Sequence, residues 1–292
     1  GELRRALARL CGNVDPRLVV VEGCSRTDKG AHSRGQVCQV YCMQSTSPET
    51  KGRRPTSSFD DDDCFLPWRM QSIEKLGFTM NRMLPDDIRV LQVAEVPEHN
   101  GSMPFHASKS ARWKTYHYHV AVGKHRMDPI LRRRYWSVIS NTNWNAEMVQ
   151  AAARALEGRH DFQAWQASPR GRTDQIKFSQ RSTVCEISSI NITHTCHEFG
   201  GLKTHDDKST AQVLDCYTFS FRGDRFLYKM VRNLVGTLVA VGMDRVKVKG
   251  NSTISLENLK PYSKVECAPA HGLVLQQIDY DEQTLNWQAV NE

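Results

Sequence analysis

The sequence predicts an α+β fold, and three observations carry the prediction. Strand-like and helix-like stretches alternate along the chain, several of the strand-like stretches are placed to pair as antiparallel hairpins, and no repeat of roughly 20–50 residues divides it. A length of 292 residues suggests about two domains. A chain of that size buries enough surface to fold without cross-links. Hydrophobic residues at 39% and charged residues at 24%, with a mean hydropathy of -0.53, exclude a collagen-like or wholly disordered chain.

The elements follow in order. Leu3, Ala6, Leu7 and Leu10 recur at helical spacing and Gly12 can supply a left-handed stop, so residues 2–11 read as a helix. Leu18 to Val21 is a β-branched run that ends at Gly23, a strand running into the polar loop Gly23-Cys-Ser-Arg-Thr-Asp-Lys-Gly30, and a second strand follows at Gly35–Cys42. Residues 44–64 hold almost nothing that can pack and include four consecutive aspartates, Asp60 to Asp63, so they read as a flexible insertion. Pro67 can open a helix to about Met83. Strands are expected at Ile88–Val96 and Lys114–Val122. A helix is marked by Met148, Val149, Ala152 and Leu156, with Gly158 beyond it. Residues 183–193 and 212–222 read as a hairpin interrupted by a polar insertion near 200–210. A helix at Phe226–Val241 and a strand at Gly272–Tyr280 complete the series.

The longest apolar run, Leu234 to Met243, is ten residues, about half of what a bilayer requires, so no membrane span is expected. The nine cysteines are odd in number, irregularly spaced and without a Cys-x-x-Cys pair. That pattern points to a reducing, intracellular compartment and makes the Asn-x-Ser/Thr triplets at Asn100, Asn191 and Asn251 chance matches. The chain starts at Gly1 without a methionine and enters helix at once, so an upstream segment is expected to be missing. The formal charge is +7, and the basic residues cluster: Lys124, Arg126, Arg132, Arg133 and Arg134 lie just before Tyr135 and Trp136, and Arg170, Arg172, Lys177 and Arg181 form a looser group. Such clusters suit a polyanion, although a merely solvated surface produces them as well.

Four constellations could carry chemistry. Asp28 sits on a short loop between two strands, after Arg26 and before Gly30, where a carboxylate can be held at a site wall. Asp-Lys-Gly is also ordinary turn chemistry, and Arg-Thr-Asp occurs again at 172–174. Lys229, Arg232, Asn233 and Gly236 share one stripe of a mostly apolar helix. An arginine there asks for a carboxylate partner unless the helix end reaches solvent. Tyr116 and Tyr118 fall on one face of a strand, where aromatics can stack on unpaired bases or simply fill a core. His194, Cys196, His197 and His205 suggest a metal but match no zinc spacing, so no metal is assigned. No phosphate-binding glycine loop, dinucleotide fingerprint, His-Glu-x-x-His or hydrolase elbow is present, and no cofactor is expected.

Six blocks in order give these residues a common setting: Cys-Ser-Arg-Thr-Asp-Lys-Gly-Ala-His-Ser-Arg-Gly-Gln-Val (24–37), Met-Asn-Arg-Met-Leu-Pro-Asp-Asp-Ile-Arg-Val (80–90), Phe-His-Ala (105–107) with Lys-Thr-Tyr-His-Tyr (114–118), Glu-Gly-Arg-His-Asp-Phe (157–162), Phe-Arg-Gly-Asp-Arg-Phe-Leu-Tyr-Lys-Met-Val-Arg-Asn-Leu-Val-Gly (221–236) and Ala-Pro-Ala-His-Gly-Leu-Val-Leu (268–275). Together they resemble the TruA-like tRNA pseudouridine synthases. The resemblance implies two ferredoxin-like or RNA-recognition-like α/β halves sharing a long antiparallel sheet, here 1–108 with the Asp28 loop and 109–292 with the tyrosine strand and arginine helix. It implies isomerisation of uridine to pseudouridine in RNA, most simply tRNA, after base flipping, with no cofactor and often as a homodimer. It places catalysis on Asp28, Arg232 and Tyr116, and substrate contacts on Arg26, Lys29, His32, Lys229, Asn233 and Leu273, with the 124–134 basic run as candidate RNA-backbone contacts.

Departures from the family pattern are the absent opening strand, Ser108 and Lys114 where arginines are common, Cys185 at a basic position and His271 at a proline position. The competing readings are a non-catalytic RNA-binding protein of the same fold and a metal-dependent enzyme built around His194 and Cys196.

Overall fold

The computed structural model describes residues 1–42, 73–96, 105–124, 127–139, 144–168, 182–199, 212–246, 254–263, 266–281 and 285–290. The 44–64 insertion, the helix start at Pro67, Arg126, the basic group at 170–181 and the polar segment at 200–210 lie outside these residues. The architecture is α+β. The chain forms two compact units: residues 1–25, 37–111 and 280–292 make one, and residues 26–36 with 112–279 make the other. The short stretch 26–36, embedded in the N-terminal part of the sequence, therefore packs with the C-terminal elements.

In the first unit, α1 (Glu2–Leu10) uses the expected apolar stripe, burying Ala6 and Leu7. It ends as expected, with Gly12 at φ +86° and Asn13 at φ +59° turning the chain out of the helix. Next, β1 (Val19–Gly23) pairs antiparallel with β3 (Cys38–Cys42). Met80 and Leu84, on and just after α2 (Ile73–Met83), close a small core with Ala6, Leu7, Ala8 and Val19. The strand expected at 88–96 shrinks to β4 (Gln92–Val93), which pairs with β11 (Gln288–Ala289). The reason is local. The Asn81 amide donates to the Val90 carbonyl at 2.9 Å and its oxygen accepts from the Val90 N–H at 2.7 Å, so a side chain takes the backbone groups a strand partner would have used.

The second unit is built on a seven-stranded mixed sheet, ordered β2-β10-β5-β9-β8-β7. Its members are β2 (His32–Ser33), β5 (Trp113–Gly123), β6 (Trp136–Ile139), β7 (Gly158–Asp161), β8 (Val184–Phe199), β9 (Gln212–Gly223) and β10 (Leu273–Asp279). The long strands pair antiparallel, whereas β2 runs parallel to β10 and β6 parallel to one end of β5. Alternation sets the faces. Tyr116, Tyr118, Val120 and Val122 of β5, with Phe219 and Phe221 opposite them, are buried, while Thr115, His117 and His119 point the other way and stay half-exposed.

Two helices belong to this unit, α3 (Ala146–Leu156), capped by the Asn145 side chain, and α4 (Met230–Gly242). Every residue of α4 except Arg232 is buried. α4 starts four residues later than the apolar pattern suggests because Lys229 adopts φ +58°, outside helical geometry. A four-residue helical turn, Leu256–Leu259, precedes the closing strand β10. No helix among the described residues is long and apolar enough to cross a membrane.

Candidate active site

Asp28 opens a tight turn: the Ala31 N–H donates to the Asp28 carbonyl at 3.0 Å, with Gly30 at φ +87°. That φ is why glycine stands there; a side chain would meet the strain of the left-handed region. After the turn, Arg34 and Gly35 N–H both donate to the Leu275 carbonyl, at 2.8 and 3.3 Å, while His32 and Ser33 pair with β10. Gly35 lies so close to β10 that a Cβ would stand 2.5 Å from the Gln276 oxygen. The Asp28 loop thus closes on itself at its turn and is tied at its exit to β10 of the same unit.

Arg232 is the one partly exposed residue of α4, with its side chain 12% exposed. Its Nη1 donates to Asp28 Oδ2, and Asp28 is 20% exposed. Its Nε donates to the Ala268 carbonyl at 2.6 Å, and the Ala268 N–H returns a bond to the Arg232 carbonyl at 3.2 Å. The guanidinium is therefore fixed at two edges. One edge is spent on backbone, and the other presents a charge-assisted bond to the carboxylate. Gly236, one turn further along α4, lets segment 266–268 come this near: a Cβ there would fall 1.8 Å from the Glu266 carbonyl oxygen.

Tyr116, on β5, is buried and packs edge-on against Phe226 at 5.1 Å between ring centres. Leu273 is buried opposite Tyr118 in the β10–β5 register. The Tyr118 hydroxyl donates to the Pro269 carbonyl at 2.6 Å, and burial holds that hydroxyl well above the usual tyrosine range. Gly272 sits against the Tyr118 ring, where a Cβ would come within 2.7 Å. Arg26, Lys29 and His32 are exposed along the Asp28 loop. His32 Nε2 lies 3.3 Å from the Arg133 carbonyl, which joins the loop to the basic run, where Lys124, Arg132, Arg133 and Arg134 are all exposed. Arg126 is outside the described residues.

Two residues of the sequence-derived stripe do not join Asp28 and Arg232. Asn233 is 4% exposed and donates to the Trp165 carbonyl at 2.6 Å, so its amide serves the core. Lys229 stands before the helix begins, with Nζ 5.3 Å from the Tyr228 ring centre. The Ala268 carbonyl and Phe226 also belong to the site's surroundings without being legible in the sequence, since a backbone acceptor has no signature in residue type.

On the opposite face of β5, burial depresses the His117 imidazole, and it takes His119 down to about 4, helped by His117, Arg34, Arg134 and His32. His119 Nδ1 lies 3.0 Å from Thr218 Oγ1. At neutral pH this face carries uncharged imidazoles beside exposed arginines.

Comparison with known proteins identifies the family. A family model described as tRNA pseudouridine synthase matches residues 152–281. Proteins named tRNA pseudouridine synthase A from Streptococcus pneumoniae strains 70585, TIGR4 and Hungary19A-6 are each 30% identical over 281 residues, covering 96% of this chain and 88% of theirs. With a relationship that runs over nearly the whole of both chains, and an Asp-loop, tyrosine strand and arginine helix in the order the resemblance requires, the chain belongs to the TruA-like tRNA pseudouridine synthase family of isomerases.

Proposed function

We propose that the protein isomerises uridine to pseudouridine in tRNA, with Asp28 as the catalytic carboxylate, Arg232 as its positioning partner and Tyr116 beside the reacting base. The observation that carries this reading is the Asp28–Arg232 contact, made across 204 residues of sequence by two largely buried charges. Charges are withdrawn from water at a cost of several kcal/mol, so a pair held this way needs a reason beyond stability. Breaking the N1–C1′ bond builds positive charge at C1′, which a carboxylate in a shielded site stabilises. The uracil then turns, C5 bonds to C1′ and gives up its proton to solvent, and the freed N1 takes up a proton. Substrate and product therefore have the same composition, and the reaction consumes no redox equivalent.

Reaching C1′ requires the uridine to leave its stack, at a cost of a few kcal/mol drawn from contacts to the RNA backbone. Arg26, Lys29 and His32, exposed on the Asp28 loop, and Lys124, Arg126 and Arg132 to Arg134 are the side chains assigned to those contacts. Leu273 lines the apolar side of the base. An intracellular site of action suits such a substrate, and a homodimer is the assembly we assign.

The test is release of tritium from tRNA labelled at uridine C5, since C5 loses its hydrogen only in this isomerisation. Wild type should release the label and Asp28→Asn should not, while both retain tRNA in a binding assay. Arg232→Lys, which loses the fork that holds both Ala268 and Asp28, should be slowed by on the order of 10²-fold. Binding by the wild type with no release from any tRNA would establish a binding protein in place of the enzyme.

A further inference from the structure

β8 continues past the 183–193 stretch to Phe199, and this continuation carries His194 and Cys196 on one face. In the register with β9, Cys196 lies opposite Asp215 and His194 opposite Tyr217. His194 Nε2, Cys196 Sγ and an Asp215 carboxylate oxygen therefore converge, all within 4.8 Å of one another. His194 Nε2 donates to Asp215 Oδ1 at 2.8 Å, the Cys196 thiol donates to the same oxygen at 3.6 Å, and Sγ lies 3.7 Å from Nε2.

We propose that His194, Cys196 and Asp215 form a binding site for a divalent cation of the zinc class, one that clasps the far end of the β8–β9 hairpin. Four-coordinate zinc, with bonds of about 2.3 Å to sulfur and about 2.0 Å to nitrogen or oxygen, separates a sulfur from a nitrogen or oxygen ligand by about 3.6 Å, and two nitrogen or oxygen ligands by about 3.4 Å. Both sulfur separations already stand at that value. Only the His194–Asp215 pair must open, and it is closed now by the proton the two share. Binding displaces the thiol proton, and the single imidazole hydrogen stands on Nδ1 so that Nε2 can ligate; a thiolate and a carboxylate balance the 2+ ion. A mixed nitrogen, sulfur and oxygen set favours zinc over the hard, oxygen-seeking cations.

The site is also braced. The His194 ring stacks on Tyr217 at 4.7 Å and 26°, Tyr217 packs against Trp144 at 5.1 Å, and Trp144 lies on Gly242 at the end of α4. Three ligands on two paired strands leave a fourth position for water. The spacing along β9 separates this cluster from the catalytic machinery. Tyr116 faces Phe221, six residues from Asp215, or about 20 Å along an extended strand. The ion is therefore assigned to the hairpin and not to the reacting uridine, and the assignment stands independently of the isomerase reading.

The test uses cobalt(II) as an optical zinc substitute, titrated into the full chain after dialysis against a chelator. Expected are a saturable near-ultraviolet thiolate-to-cobalt band and intense visible bands of four-coordinate cobalt, displaced by zinc. They should vanish in Cys196→Ser, weaken in His194→Gln and Asp215→Asn, and persist in Cys267→Ser, which removes another exposed free thiol. Zinc should raise the melting temperature of wild type and of Cys267→Ser and leave that of Cys196→Ser unmoved. Absence of the bands, or their survival in Cys196→Ser, would overturn the site. Chelator treatment that abolishes tritium release from a chain that is still folded would overturn its purely structural role.

Discussion

At the scale of single residues, the site depends on glycines as much as on charged groups. Gly236 is the sharpest case, because the Glu266 carbonyl occupies the space a β-carbon would need and backbone cannot give way as a side-chain tip can. Gly236→Ala should cost about 1–3 kcal/mol of stability. It should also push segment 266–268 off α4, removing the Ala268 acceptor that orients Arg232. The expected result is a fall in kcat larger than the change in KM, read from tritium release beside a denaturant melt. If the variant melted like wild type and turned over normally, the close approach would be without consequence. Arg232 itself was legible from residue type, since an arginine on an apolar stripe asks for a carboxylate. Asn233, beside it on the same stripe, turns its amide to the Trp165 carbonyl, because neighbours on a stripe need not share a partner.

Elements were legible where their own pattern decided them. The helices at 2–10 and 146–156 and the long strands through Tyr116, Phe219 and Leu275 follow periodicity closely, because their burial is set along their own length. β2, β6 and β7 were not visible. Each is short, and each exists because a neighbouring strand offers a free edge, information that lies elsewhere in the chain. The strand expected at 88–96 failed for the converse reason, Asn81 having filled its backbone groups. Around α4, a chain of buried bonds runs from Asn233 to the Trp165 carbonyl, from Trp165 Nε1 to Thr237 Oγ1 at 3.0 Å, and from the Thr237 hydroxyl back to the Asn233 carbonyl at 3.0 Å. Asn233→Leu leaves the Trp165 carbonyl without its donor and should destabilise by about 1–3 kcal/mol. Because that loss falls on packing, tRNA affinity of the folded fraction should stay at the wild-type value. A selective loss of affinity would return Asn233 to the substrate.

For the molecule as a whole, charge and protons set the response to conditions. The native His119 imidazole titrates at about 4 and its unfolded counterpart at about 6.5, so between those values the unfolded chain binds more protons. The stabilisation is complete above pH 6.5 or so and is lost as pH falls towards 4. The size is on the order of 1–2 kcal/mol once solvent screening of the half-exposed ring is allowed for. Denaturant melts at pH 7.5 and pH 5 should show this loss, and His119→Gln should flatten it; an equal slope in the variant would assign the effect to other groups. With a formal charge of +7 and an exposed arginine run, tRNA affinity should fall steeply as salt rises. Replacing Arg132 and Arg133 by Gln should shallow that slope by about two ion-equivalents, and an unchanged slope would remove both from the RNA contact.

The chain crosses between its two units after residues 25, 36, 111 and 279, and this threading bears on how the protein can be divided. A fragment begun at residue 112 would hold Arg232 and the whole tyrosine strand but not Asp28, leaving a guanidinium shaped for an ionic partner that lies on a different piece of polypeptide. Such an orphaned charge is worth roughly 3–5 kcal/mol against folding. On the proposed mechanism neither half of the gene should encode a working catalyst, and a bisected version should recover activity only by non-covalent reassembly, with the eleven residues 26–36 as the peptide that completes the other fragment.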